Sequence, residues 1–513
     1  MISFLKKGSD RKDYRRTIQQ LEGTIDVIKI IKVLIMIAAL TALTIVLLLF
    51  SACGKVGQDK DHGVGMAGQG TAEGSQISQT SQTSQISQIS QSSKTAPGGS
   101  IDESLNGSPG HPSDGSTAEK TAEPEKSPTQ PENWEYGEDA ENDEVAVADL
   151  IGEMSLDEKI GQLFIIGFEG TVLDNALKEL ILQKHIGGVI LFKRNIKDAE
   201  QLIALNNSIK EINSNNKTPL FVSVDEEGGR VSRMPDQVKK LPSGKTIGEI
   251  NSSSLSYEVG SLLALKTKAF GFNMDFAPVL DIWSNPQNTV IGDRAFGTTP
   301  EAVLENGIPL MNGIRDGGVI PVVKHFPGHG DTIVDSHFGL PAVDYDVERL
   351  ESFEWVPFQS AIENQADVVM IAHILMTKID PVNPASLSKI LITEVLRDRM
   401  GFDGVVITDD MTMDAIEENY STGEAAVKSV LAGSDILLVC HGHEKQLEVI
   451  KTVKAAVSDG LISEERLDES VYRILKLKQK YRLTDKPTTM IDVEDINKRL
   501  EDLDKKFEAH PAK

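Results

Sequence analysis

The chain has 513 residues and a formal net charge of -25, with 77 acidic against 52 basic side chains. That balance argues against nucleic acid as a partner, because phosphate binding needs clustered Lys and Arg. Its two cysteines, Cys53 and Cys440, lie far apart in segments of different kinds, so no disulfide framework is indicated.

The N-terminal stretch is basic, with Lys6, Lys7, Arg11, Lys12, Arg15, Arg16, Lys29 and Lys32. An uncharged apolar run of 18 residues follows, Val33 to Phe50, at the lower end of what spans a bilayer. Basic residues before such a run place the N-terminus inside a cell and the remainder outside. The run ends in Leu49-Phe50-Ser51-Ala52-Cys53-Gly54, which resembles a bacterial lipoprotein box, whose cysteine is lipidated after cleavage. An uncleaved signal anchor is the alternative, and either one holds the protein on the extracellular face of the cell membrane. Residues 1–53 are therefore assigned to the anchor. Residues 54–145 form a linker, with a Gln-Ile/Thr-Ser repeat from Ser75 to Ser92 and an acidic run ending at Glu144. Its apolar content is too low to bury a core, so it reads as a disordered tether. As a random coil it would span roughly 50 Å.

Folding is expected to restart near Val145. Ser155 and Glu158 have the spacing of a capping box at a helix start. Short β-rich runs then alternate with amphipathic helical patterns. The strands are expected at 163–167, 188–192, 220–224, 274–279, 320–324, 368–372, 405–408 and 436–439. Helices are expected at 173–183, 199–212, 255–269, 300–316, 355–363, 393–400 and 463–481. Strand–helix alternation implies a parallel sheet, and eight such units predict an α/β (β/α)₈ barrel over residues 146–482. The long gap from Asp225 to Phe272 predicts an irregular unit. Residues 483–513 read as a charged tail, leaving no room for a second large domain.

Polar residues gather at the strand ends. The third strand runs into Asp225-Glu226-Glu227-Gly228-Gly229-Arg230-Val231-Ser232-Arg233, and the fourth leads to Asp281 and then Gly292-Asp293-Arg294. The fifth ends in Lys324-His325 and opens a loop carrying His329, Asp331, Asp335 and His337. The sixth ends in His373 and the seventh in Thr408-Asp409-Asp410. Active sites of such barrels lie on the face where the strands end. Five polar strand ends at one mouth point to chemistry.

Three classes fit these residues. A metal hydrolase would use His325, His329 and His337 with Asp331 or Asp335, but Phe326-Pro327-Gly328 forbids a helix there, and Lys324 with the arginines repels a cation. A non-catalytic sugar-binding barrel explains Asp225, Arg233 and Lys324 but leaves Asp409 and His337 without a task. Glycoside hydrolysis uses a carboxylate nucleophile and a proton donor on opposite sides of the bond. A histidine donor has a fitting pKa, and Asp335, two residues before His337, can hold its imidazole in one tautomer.

Lys324-His325-Phe326-Pro327-Gly328-His329-Gly330, followed by Asp335-Ser336-His337, resembles the signature of the β-N-acetylglucosaminidases of glycoside hydrolase family 3. Met154–Leu163, Asp225–Arg233, Gly292–Gly297 and Thr408–Met411 are similar to that family too, in order. The resemblance implies a retaining, two-step hydrolysis of terminal N-acetylglucosamine from peptidoglycan fragments or related amino-sugar oligosaccharides. It implies Asp409 as nucleophile, His337 as acid/base and Asp335 as its partner. Asp225, Arg233, Arg294, Lys324 and His325 would bind the sugar. No metal and no cofactor are expected. Some relatives carry a further C-terminal α/β domain, and this chain groups with the single-domain type, expected to be a monomer. The loop bearing His337 would then deliver the acid/base itself, with Gly328 and Gly330 as its hinges or simply as turn formers. His329 is expected to hold this loop, and His373 to line the pocket or cap its strand. Because a histidine base carries no negative charge, phosphate in place of water, and hence a phosphorylase, is an open alternative, as is another β-glycosidase on the same site.

Overall fold

The computed structural model describes residues 140–332, 336, 339–489 and 492–510, with side chains from Ala146 onward. The apolar run Val33–Phe50, Cys53, the tether up to residue 139, Asp335 and His337 lie outside the described residues. Among the described residues no helix is long and apolar enough to cross a membrane.

Eight parallel strands close into one barrel. They are β1 (Phe164–Gly167), β2 (Gly188–Leu191), β3 (Phe221–Val224), β4 (Met274–Asp275), β5 (Ile320–Phe326), β6 (Val368–Ile371), β7 (Val405–Asp410) and β8 (Ile436–Val439). Each strand pairs with its sequence neighbours, and the ring closes where Phe164 pairs with Leu437. β1, β2, β3, β6 and β8 are short apolar runs buried along their whole length, as strands covered on both faces must be. The expected (β/α)₈ barrel is therefore the observed one. Gly188 is needed because a Cβ there would come within 2.6 Å of the Phe221 Cβ on the neighbouring strand.

The outer layer follows the sequence pattern. Ser155 and Glu158 make the reciprocal capping bonds that start helix Leu156–Gln162. Helix Pro300–Asp316 has the predicted bounds, with Thr299 as its N-cap and Pro300 in the first turn, where a missing N–H costs nothing. The irregular third unit holds two helices, Gly244–Ile250 and Ser253–Ala269. Three features differ from expectation. A helix already runs from Ala140 to Glu153 and buries Val147 and Ile151. Ile390–Arg399 is a π-helix. The segment read as a charged tail contains helix Val493–Ala509, which buries Ile496, Leu500 and Leu503. Those residues recur at helical spacing beneath a mostly charged surface, and that surface is what hid the helix.

Two register shifts matter for function. Val323 pairs with Val369 and Phe326 with Ile371, so β5 carries one extra residue at Lys324-His325. Ile407 pairs with Ile436 and Asp410 with Leu438, so β7 carries one extra residue at Thr408-Asp409. Bulges re-aim side chains where a ladder ends. Both fall on residues singled out in the sequence.

Candidate active site

The strand ends open into a cavity of about 720 Å³. Asp225, Arg233, Arg294, Lys324, His325 and Asp409 all line it, and so do His329 and Ser336. Six of the eight sequence-predicted site residues therefore meet in one place. The other two, Asp335 and His337, fall outside the described residues.

Lys324 is 2% exposed, and its ammonium lies 2.8 Å from Asp225 Oδ1 and 2.7 Å from Glu227 Oε1. Burial alone would weaken its proton, but the two carboxylates outweigh that and raise its pKa, so it stays charged. Glu227 also accepts two parallel bonds from Arg294, from Nε to Oε2 and from Nη2 to Oε1, each 2.8 Å. Burial pushes the Glu227 carboxyl up, yet Arg294 and Lys324 prevail and hold it well below the usual range. Glu227 thus joins two of the expected sugar ligands into one rigid group.

Sequence reasoning did not single out Glu227. The signal was its spacing. Asp225 and Glu227 are two residues apart and face the mouth, whereas Glu226 between them turns outward to Lys266. That pair is 2.6 Å apart and fully buried.

His325 is fixed from both sides. Its Nδ1 lies 2.6 Å from Asp281 Oδ2, and its Nε2 lies 3.4 Å from Arg294 Nη2. A guanidinium only donates, so in the neutral form of the ring Nε2 accepts and Nδ1–H is donated to Asp281. Asp281 also accepts from the His329 backbone N–H at 2.6 Å. Burial raises its pKa, but His325 and His329 together hold it low. Asp281 is the second partner whose role the sequence left unassigned.

The loop after β5 is pinned where it is described. His329 Nδ1 meets Thr332 Oγ1 at 2.7 Å, and its Nε2 lies 3.3 Å from Ser336 Oγ. Burial, and after it the neighbouring His325, push the His329 imidazole's pKa down. Asn288 Nδ2 donates to the His329 carbonyl at 2.7 Å, and Tyr345 donates its hydroxyl to Asp331. The Ser336 carbonyl accepts from Ala415 N–H at 3.3 Å, just beyond β7. Gly330 leaves no room for a side chain, since a Cβ would lie 1.7 Å from the Ile282 carbonyl oxygen. His329 therefore ties down the loop, and Gly330 serves close packing.

At the end of β7 the two aspartates divide. Asp410 accepts from Thr412 N–H at 3.0 Å and from Cys440 N–H at 3.0 Å, closing the turn and bridging to β8. This is a turn carboxylate. Asp409 accepts from the Asp410 N–H at 2.9 Å, and both aspartates line the cavity. His373 is fully buried, between Ser386 Oγ at 2.7 Å and the Asp410 carbonyl at 2.9 Å, so it steadies this strand end rather than lining the pocket. Cys440 lines the cavity, but burial, and then the Asp410 charge, push its thiol well up and keep it protonated and unreactive.

The cavity therefore sets Asp409, at a bulged strand end, across from a buried set of cations and acceptors suited to hydroxyl and amide groups. Metal binding is a poor use of the imidazoles, since Asp281 and Arg294 engage His325 while Thr332 and Ser336 engage His329.

Comparison with known proteins agrees with this reading. Residues 155–477 match the glycosyl hydrolase family 3 N terminal domain. The chain is 33% identical over 334 residues to a beta-hexosaminidase A of Pseudoalteromonas piscicida, covering 60% of this chain and 56% of that protein. It is 37% identical over 293 residues to a beta-hexosaminidase of Alkalilimnicola ehrlichii, covering 56% of this chain and 83% of that protein. A solved glycoside hydrolase family 3 beta-N-acetylglucosaminidase from Paenibacillus sp. str. FPU-7 matches with a TM-score of 0.65 and 40% identity, covering 69% of each chain.

Proposed function

The chain belongs to glycosyl hydrolase family 3 and is a glycoside hydrolase, and on that premise we propose that it is a retaining, exo-acting β-N-acetylglucosaminidase. Its substrates are peptidoglycan fragments or related amino-sugar oligosaccharides ending in N-acetylglucosamine. The observation that supports this reading is the single cavity in which Asp409 faces Asp225, Arg233, Arg294, Lys324 and His325.

In the first step the Asp409 carboxylate attacks the anomeric carbon and forms a glycosyl ester. The bond to the leaving oxygen breaks, and His337 gives that oxygen its proton, with Asp335 stabilising the imidazolium. In the second step His337 takes a proton from water, whose oxygen attacks the same carbon and frees Asp409. Support for His337 comes from its neighbour Ser336, which lines the cavity and is bonded to the segment beyond Asp409. Asp225, Lys324, Arg294, Arg233 and His325 hold the hydroxyl and acetamido groups. The N-terminal segment would tether the enzyme outside the membrane, within reach of wall fragments.

Parallel assays with an aryl β-N-acetylglucosaminide and an aryl β-glucoside, in EDTA and with or without phosphate, test the reading. Release from the N-acetyl sugar alone, unchanged by EDTA and independent of phosphate, is expected. Loss with EDTA would move the reading to a metal enzyme, and a glycosyl phosphate product would move it to a phosphorylase.

A further inference from the structure

On the side of the cavity formed by β1, β2 and β8, two rings stand at the mouth. Phe192, just beyond β2, and His441, just beyond β8, both line the cavity, and their rings stack with centroids 5.8 Å apart at 29°. The His441 side chain is 51% exposed, and its Nε2 lies 3.7 Å from Asp410 Oδ2. This wall therefore approaches Asp410, the chain neighbour of Asp409.

The wall is held rigidly from behind. The Arg194 guanidinium lies 4.4 Å over the Phe192 ring. Arg194 is itself fixed by donation to the Phe168 carbonyl at 3.1 Å and the Cys440 carbonyl at 3.0 Å. Fully buried Asn195 accepts from the Phe192 N–H at 2.9 Å and donates to the carbonyls of Phe168 and Gly170 at 3.0 and 2.8 Å. Two buried or half-buried polar side chains thus serve to hold one aromatic ring at a solvent-facing edge. Barrel closure alone does not require this. An aromatic surface fixed beforehand loses little freedom when a ligand lies on it.

We propose that Phe192 and His441 form the wall of an aglycone subsite, on which the second pyranose ring of the substrate packs its C–H face. The inference rests on the glucosaminidase reading and deepens it. The terminal sugar occupies the charged, buried end of the cavity, where cations and carboxylates match its hydroxyls. The leaving sugar must then lie toward the mouth, beside Asp409, where the aromatic wall is. The occupant is a saccharide ring and not an alkyl chain, because aromatic rings and polar groups meet at this mouth.

The test compares two β-N-acetylglucosaminides with the full-length protein. One is N,N′-diacetylchitobiose, with a sugar aglycone, and the other is the 2,2,2-trifluoroethyl glycoside, which has no ring to stack. Aromatic contacts of this kind contribute about 0.5–1.5 kcal/mol. In Phe192→Ala, the disaccharide-to-trifluoroethyl ratio of kcat/KM is expected to fall by roughly twofold to twelvefold. His441→Ala removes a half-exposed side chain that holds no part of the core, so it reports even if Phe192→Ala folds poorly. It is expected to shift the ratio in the same direction, and His441→Phe is expected to restore it. A ratio unchanged within twofold in His441→Ala would overturn the subsite while leaving the glucosaminidase reading intact. Failure of the wild-type protein to cleave either compound would overturn both.

Discussion

Glu227 is a single carboxylate shared by two cations, and the shape of the sugar pocket depends on it. Replacing it with Gln keeps the volume but removes the charge that orders Lys324 and Arg294. A misplacement of about 1 Å in such a group costs on the order of 10²-fold in rate. Glu227→Gln is therefore expected to lower kcat/KM about 100-fold, with circular dichroism confirming a folded chain. Retention of more than a third of the wild-type activity would show that Lys324 and Arg294 hold their positions without it. At this scale the sequence was readable wherever a residue type carried its own chemistry: Asp225, Lys324, His325 and Asp409 were all placed in the site. It was less readable where a residue acts through others. Glu227 and Asp281 touch the cations and the imidazole, and only distances identify that relation.

Among the elements, the strands were the most legible. Apolar runs of four to six residues between turn signals coincide with all eight barrel strands to within a few residues. Strand bulges at Lys324-His325 and Thr408-Asp409 were not legible, since a register depends on the partner strand and not on local pattern. Helix Val493–Ala509 was missed because charge dominates its composition. Its burial makes a stability prediction. Leu500 is 2% exposed, and Leu500→Ala is expected to lower unfolding free energy by about 2–4 kcal/mol. The measurement is urea unfolding. A change below about 0.5 kcal/mol would mean that the helix leaves the barrel readily.

Across the whole molecule, the two ends of the barrel carry opposite problems. The mouth gathers charge for chemistry, whereas the opposite end buries Lys478 among apolar groups. Its ammonium donates to Gln162 Oε1 at 2.7 Å and to the Gly187 carbonyl at 3.0 Å, and it lies 4.7 Å from the Phe221 ring centroid. Burial, only partly opposed by the charge of Asp485, pushes its pKa down to about 7. In the unfolded chain lysine keeps its proton to about pH 10.4. Between these values the unfolded state binds more protons, so stability rises with pH, by at most about 1.4 kcal/mol per unit. Lys478→Met removes this dependence. The stability advantage of the variant over wild type is thus expected to shrink as pH rises from 7 to 9, and an advantage constant over that range would contradict it. The eight-fold alternation made the barrel legible at this scale, but nothing in the sequence near Lys478 distinguishes a buried lysine from an exposed one. Only the closed barrel does so.

The central claim is that Asp409 forms a covalent bond to the sugar. The direct measurement is mass spectrometry of the protein after incubation with a 5-fluoro N-acetylglucosaminyl donor whose second step is slow. The account predicts one added glycosyl unit, carried by the peptide containing Asp409, and none in Asp409→Ala. An adduct on Asp410, or labelling that persists in Asp409→Ala, would contradict it.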